Sequence, residues 1–335
     1  YEIHWRDWSS DVCSSDLLHA AWFQRLAAAK DWDGAGAVLA QAEARGAGDG
    51  SLAMLRLYLA CESGSAPADP AIFAPFAASP DPGLALLQTR HALRHGDPVR
   101  ALALAEARLG SPQAAQFWPY CSLAWRLLDH PRAAWLEGEP GFAQAIDLDL
   151  APDQLADLAD FVRGLHRMRA PYPEQSVRGG TQTDRSVIQR REPVIQLAKA
   201  RWLEALRGYV DELPPPEQGH PLLGLPRGEL LVEGSWSVRL LRQGYNVPHN
   251  HPIGWISTAF YVALPAPEQM GAAPAGHIAF GTPPEELGLD LPAYRTIAPE
   301  PGLCATFPST MWHRTMPFDD GERLVIALDL KRPRL

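Results

Sequence analysis

The stretch "NVPHNHPIGW", residues 246–255, sets His249 and His251 one residue apart among strand-forming neighbours and two prolines. Side chains at i and i+2 of an extended segment point to the same face, about 6 to 7 Å apart along the backbone. The two imidazoles can therefore converge on one ion, and neutral imidazole suits Fe, Zn, Cu and Ni. The plainer reading is a pair of loop histidines that only hydrogen-bond. A third ligand must come from elsewhere, and the candidates in the C-terminal half are His277 in "AGHIAFG" and His313 in "FPSTMWHRTMPF". His313 is favoured because Arg323 follows it ten residues later. "MWHRTMPFDDGERLVIALDL" reads as a hairpin turning at "FDDGE", which would put His313 and Arg323 on adjacent antiparallel strands. An arginine inside a barrel needs an anion, and its planar fork suits a carboxylate. A metal beside a buried arginine calls for a small dicarboxylate, chelating at one end and paired with arginine at the other. The bland role for Arg323 is a surface ion pair with Glu322 or Asp320.

Around this core stand weaker candidates. Arg239 in "WSVRLL" is either a cosubstrate contact or an exposed strand residue. Trp255 and Tyr261 either line the cavity or belong to the core. "SVRGGTQT", with Arg178, Gln182 and Thr183, reads either as a polar lid, since paired glycines permit close backbone approach, or as a capping turn before the long helix. His277 and Cys304 read as core residues, and Asp329 as the end of a strand.

The elements that position these residues follow from two different patterns. From Leu18 to about Arg169 the chain is rich in Ala and Leu at three- and four-residue spacing, broken by short Gly or Pro turns, which predicts paired amphipathic helices. In "LALLQTRHALRHGDPVRALALAEARLG" one helix ends at His95-Gly96 and another restarts after Asp97-Pro98. The pattern resembles tetratricopeptide repeats, whose period is about 34 residues, over about four helical pairs. It predicts either a concave partner-binding surface or a helical domain that simply packs on its neighbour. Residues 170–228 read as a connecting segment with one long helix, "PVIQLAKARWLEALRGYVDELP". From Glu229 onward about eight short strand-like runs alternate with turns, which predicts a sandwich, jelly roll or small barrel. The fold class expected is α+β: a helical, repeat-like N-terminal domain (18–169), then a C-terminal double-stranded β-helix (229–335).

With these residues and elements together, the sequence resembles the Fe(II)/2-oxoglutarate-dependent dioxygenases, whose motif is His-x-Asp/Glu, a distal His, and Arg or Lys about ten residues after it. More narrowly, "HNHPIGWISTAFYVALP", "FPSTMWHRTMPF", "GERLVIALDL" and "EQSVRGGTQT" resemble the 2-oxoglutarate-Fe(II) oxygenases found behind tetratricopeptide repeats in bacterial proteins. The resemblance covers roughly Pro173 to Leu330. It implies that His249 and His313 are iron ligands and that Arg323 holds the distal carboxylate of 2-oxoglutarate. The implied reaction is hydroxylation of a substrate C–H bond coupled to decarboxylation of 2-oxoglutarate to succinate. Two positions depart from the pattern. His251 stands where the wider superfamily has Asp or Glu, giving three histidines, a ligand set similar to that of thiol dioxygenases. Val325 stands where that superfamily has Ser two residues after the arginine. Two other readings therefore stay open: a three-histidine, cupin-type dioxygenase needing no cosubstrate, and a non-catalytic helical-repeat scaffold.

Bulk properties exclude several classes. The 335 residues are 46% hydrophobic and 21% charged, enough for a sizeable core and about two domains. A formal net charge of −9 argues against a phosphate-backbone binder, so no nucleic-acid partner is expected. No apolar run approaches the roughly 20 residues of a membrane span, so no membrane association is expected. Cys61, Cys121 and Cys304 lack C-x-x-C spacing, which points to free thiols and a cytoplasmic location. The partner expected is a small-molecule or protein substrate, with a possible protein partner on the helical half. "DWSSDVCSSDL", residues 7–17, has neither helical nor strand periodicity and back-translates to a common sequencing-library adapter. Residues 1–17, Cys13 among them, are accordingly expected to be foreign, the true start of the protein missing, and a lost signal peptide compatible with that.

Overall fold

Short helices built on Ala and Leu need firm starts, and this chain supplies them with Asp caps followed by Pro. The computed structural model describes residues 16–45, 49–79 and 81–334. Residues 1–15 of the adapter-like segment lie outside the described residues. Six helices open the chain: α1 (Asp16–Ala28), α2 (Trp32–Ala44), α3 (Asp49–Ser63), α4 (Pro82–Arg94), α5 (Pro98–Glu106) and α6 (Ala114–Leu127). Asp81 caps α4 by accepting from the Gly83 N–H, Asp97 caps α5 by accepting from Arg100, and a proline occupies the first helical position of each. The break expected at His95-Gly96 is where α4 ends, with Gly96 at a φ of 73° that favours glycine. A short α7 (Arg132–Glu137) follows, then strand β1 (Gln144–Asp147), α8 (Pro152–Arg163), strand β2 (Val177–Gln182) and the long α9 (Pro193–Glu212). No described helix is long and apolar enough to cross a membrane.

The C-terminal strands are β3 (Val232–Asn246), β4 (Gly254–Ala263), β5 (Ile278–Phe280), β6 (Arg295–Ile297), β7 (Leu303–Pro308), β8 (His313–Thr315) and β9 (Glu322–Lys331). They form two sheets, a six-stranded one in the order β1-β7-β4-β9-β3-β2 and a three-stranded one in the order β6-β5-β8. "ELLVEG" and "SWSVRLLRQG", expected as two strands, are one, because Gly234 passes through an irregularity in the β3–β9 pairing without ending it.

Three expectations are corrected here. His313 and Arg323 do not lie on a paired hairpin: β8 pairs with β5 in the small sheet, whereas β9 sits between β3 and β4 in the large one. Pro317 has no N–H to continue a ladder, and the chain between the strands instead crosses from one sheet to the other. Second, "SVRGGTQT" is not a lid but edge strand β2, paired antiparallel with β3. Its glycines serve that pairing: Gly179 lies at φ 70°, and a Cβ on Gly180 would fall 2.2 Å from the Arg239 carbonyl oxygen. Third, the ladder partner of β7 at its outer edge is β1, four residues inside the stretch read as helical, too short to show alternation. Phe142, Leu158 and Val162 accordingly share one buried cluster with Trp202 and Tyr209 of α9 and with Phe260, Phe307 and Ile326 of the sheet.

Helices α4 and α6 lean on the segments that flank the small-sheet strands. Tyr120, Leu123 and Ala124 of α6 pack with Trp312 and Leu287, and the Trp312 Nε1–H donates to the Pro119 carbonyl at 2.9 Å. Arg94 donates to the Glu286 carbonyl at 2.6 Å, and Arg126 to that of Pro292 at 2.6 Å.

Candidate active site

Between the two sheets lies a cavity of about 570 Å³. His249, His251 and His313 all line it, together with Arg323, Val325 and Ala327 of β9, Thr258 of β4, Phe307 of β7 and Gln182 of β2. The potential ligand nitrogens of the three histidines lie within 4.8 Å of one another. Backbone pairing brings two of them together. The His249 N–H donates to the His313 carbonyl at 3.0 Å, and the His313 N–H returns the bond at 2.9 Å. His251 is tied by its own N–H to the Ser309 carbonyl at 2.8 Å, and Gly254 closes a turn back onto the His251 carbonyl.

Each imidazole is also oriented through Nδ1. The His249 Nδ1–H donates to the Val247 carbonyl at 2.7 Å, that of His313 to the Met311 carbonyl at 3.0 Å, and that of His251 to Asp329 Oδ1 at 3.0 Å. This assignment follows from the acceptors, since a carbonyl or carboxylate oxygen cannot donate. In a neutral ring so held, Nε2 carries the lone pair, and that of His249 accepts from the Ser176 hydroxyl at 3.4 Å. Burial first, and the neighbouring His251 next, push His249 down to about 3; burial and both partner histidines hold His313 well below its ordinary value. Neutral imidazoles with free lone pairs are what metal binding requires.

Arg323 is 2% exposed, and its Nε and Nη2 have no hydrogen-bond partner. Its guanidinium lies 5.0 Å from the Tyr261 ring centroid. Burial lowers its proton affinity from the usual arginine value, yet an arginine stays charged in proteins. A buried cation facing a cavity with two free donors is a receptor for an anion.

One comparison with known proteins spans the residues of this geometry. Residues 234–329 match the family model described as "Putative 2OG-Fe(II) oxygenase". The chain carries a 2OG-Fe(II) oxygenase domain. No curated protein matches the chain. Among solved structures, a viral collagen prolyl hydroxylase from Paramecium Bursaria Chlorella virus-1, in a 2OG complex, is similar at 14% identity, covering 58% of this chain and 97% of its own, with a TM-score of 0.39. A Pseudomonas putida prolyl-4-hydroxylase also shows 14% identity, covering 60% and 100%, with a TM-score of 0.39. HygX from Streptomyces hygroscopicus, with nickel, 2-oxoglutarate and hygromycin B bound, shows 11% identity, covering 60% and 85%, with a TM-score of 0.38.

The matched segment of the oxygenase domain contains His249, His251, His313 and Arg323, and the family uses Fe(II) and 2-oxoglutarate. The chain fits both groups, with three convergent imidazole nitrogens for the metal and an orphaned buried guanidinium for the cosubstrate carboxylate. The other sequence candidates are distributed differently. Arg178 and Gln182 line the cavity. Thr183 is drawn into the sheet, its Oγ1 accepting from the Ser237 N–H at 2.9 Å. Arg239 pairs with Glu322 at 2.6 Å on the other side of β3, because residues one apart on a strand alternate faces and the cavity takes Val238. Trp255 is buried in the core, its Nε1–H donating to the Leu222 carbonyl at 3.1 Å. Tyr261 reaches the site only through Arg323.

Two contributors escaped the sequence reading. Asp329, read as a strand end, accepts from both His251 and the Ser257 hydroxyl, the latter at 2.7 Å. Its signal was present in the alternation of β9, where 323, 325, 327 and 329 share one face. The other is the helical half itself: Lys30, after α1, lines the cavity mouth with Glu286 and forms an ion pair with it. No spacing within either segment could announce a contact across 256 residues.

Proposed function

We propose that His249, His251 and His313 hold Fe(II) through Nε2 and that Arg323 receives the distal carboxylate of 2-oxoglutarate, so that this chain oxidises a substrate presented at the cavity mouth. The observation that carries this reading is Arg323, almost fully buried with two unsatisfied donors, in the same cavity as three convergent imidazoles. Bound iron with 2-oxoglutarate would supply the oxidation of a C–H bond, dioxygen being the oxidant that gives one oxygen atom to that bond and the other to succinate as the cosubstrate loses carbon dioxide. The chain's own residues do the rest. The three Nδ1 hydrogen bonds hold the rings so that no reorientation is needed on binding. Val325, Ile278 and Phe307 keep the inner cavity apolar, which strengthens the arginine–carboxylate pair by excluding water. A three-histidine dioxygenase without cosubstrate leaves the buried Arg323 unexplained, and a silent scaffold leaves both Arg323 and the convergence of the three imidazoles unexplained.

The helical half is proposed to be a tetratricopeptide-like array. Supporting this, α1, α3, α4 and α6 end at residues 28, 63, 94 and 127, intervals of 35, 31 and 33, close to the roughly 34 residues of that unit. It would bring a substrate or a protein partner to an entrance bounded by Lys30, Glu174, Arg178, Asn250 and Glu286. Those polar and charged groups suit a substrate that carries polar groups of its own. Three free, buried cysteines support a cytoplasmic setting.

Calorimetric titration of 2-oxoglutarate into the Zn(II)-loaded chain tests the arginine. Arg323→Ala is expected to weaken binding by about 100-fold, roughly 3 kcal/mol. Unchanged affinity in a folded Arg323→Ala variant would overturn the assignment.

A further inference from the structure

Three neutral imidazoles leave the charge of a divalent metal uncompensated in a buried cavity, where charge is costly to leave unbalanced. The carboxylate nearest to correcting this is Asp329. Among the described residues it is the one carboxylate hydrogen-bonded to any of the three histidines, through Oδ1 to His251 Nδ1 at 3.0 Å. Its position is built rather than incidental. Asp329 lies opposite Ser257 in the β4–β9 register, and the Ser257 hydroxyl is 2.7 Å from Oδ1 and 2.8 Å from Ser309 Oγ. Asp329 itself is 8% exposed. Gly254 leaves this cluster its room, since a Cβ there would lie 2.5 Å from Ser309 Oγ. The neighbouring rings take neutral backbone carbonyls at the same ring position, so His251 differs from its partners in what stands behind it.

We propose that Asp329 is a positioning residue of the metal centre, acting through His251: it fixes that ring with Nε2 toward the metal and supplies the negative charge that the three-histidine set lacks. This rests on the reading that His249, His251 and His313 hold the metal. A carboxylate behind a ligand imidazole raises the basicity of that ligand, and removal of such a partner costs about 10- to 100-fold in metal affinity. Asp329→Asn keeps an acceptor oxygen of the same shape at Oδ1 while removing the charge, so it separates charge from mere packing.

The experiment is an anaerobic titration of the full chain with Fe(II) alone, together with the reduction potential of the bound iron, in the wild type, Asp329→Asn and His249→Ala. Asp329→Asn is expected to bind Fe(II) about 10- to 100-fold more weakly and to shift the potential upward, because loss of a nearby negative charge disfavours Fe(III). His249→Ala is expected to lose Fe(II) binding. Unchanged affinity and potential in Asp329→Asn, with binding lost in His249→Ala, would overturn the role of Asp329 and leave the ligand set standing. Retained binding in His249→Ala would overturn the ligand set and the proposal with it. A measurement on the wild type covers a variant that does not fold: the nitrogen-15 spectrum of the Zn(II)-loaded chain. A proton on His251 Nδ1 coupled to the Asp329 carboxylate supports the proposal; metal on Nδ1, or no proton there, overturns it.

Discussion

Arg323 shows how much a single buried donor group can say. Its charge is taken out of water with the Tyr261 ring beside it and no anionic partner, and that cost is only worth bearing where an anion is meant to arrive. Arg323→Lys keeps the charge but loses the planar fork, so the KM for 2-oxoglutarate is expected to rise about 10-fold or more, with kcat less affected; steady-state kinetics at varied cosubstrate checks this, and an unchanged KM would count against bidentate recognition. The four cavity residues were legible in the sequence for reasons of type and spacing: His249 and His251 at i and i+2, then His313 and Arg323 in late strands. Asp329 was not, because "RLVIALDL" was read for its apolar content rather than for the face that Arg323 begins. Trp255 and Arg239 each keep two readings in the sequence for a related reason: strand alternation says that two residues share a face, but not which face the cavity occupies.

At the scale of elements, edge strand β2 matters because it carries Gln182 and Arg178 to the cavity, and it can do so only while Gly180 lets the β3 backbone approach. A side chain there would meet the Arg239 carbonyl and the Leu240 Cα before any packing could adjust. Gly180→Val is therefore expected to lower stability by about 1 to 3 kcal/mol and to raise the KM for 2-oxoglutarate; denaturant unfolding and kinetics measure the two, and a variant as stable as the wild type would show that β2 is held elsewhere. The long helix and the capped helical pairs were legible because they repeat a periodic pattern over many residues. The register between β8 and β9 was not, since a turn such as "FDDGE" fits a hairpin and a crossing between sheets equally well. Pro317 and the three-residue length of β8 decide it, and they act through pairing partners far away in sequence.

For the whole molecule, the central structural fact is that the helical half braces the strand bearing a candidate ligand. Trp312, immediately before His313, is 4% exposed against α6. Trp312→Ala is expected to cost about 3 to 5 kcal/mol and to weaken metal binding as well as stability; a normal melting temperature would contradict the bracing. Acid sensitivity follows from a part-buried histidine that ties elements together. His166, after α8, bonds Thr181 of β2 at 2.8 Å and Ser237 of β3 at 3.0 Å, and burial, then Arg239, pushes it down from 6.5 to about 4. Between those values the unfolded chain binds the proton and the folded chain does not, so stability rises with pH across the window and is lost on acidification through it. Urea midpoints at stepped pH should show this slope, reduced by up to about one proton in His166→Gln; an unchanged slope would assign the effect to other groups. The most direct measurement is succinate release from 2-oxoglutarate by the full chain with Fe(II) and oxygen, compared with His249→Ala, His313→Ala and Arg323→Ala. Release by the wild type that falls to background in all three is the result predicted; succinate produced undiminished by a folded His313→Ala or Arg323→Ala chain would contradict the site described.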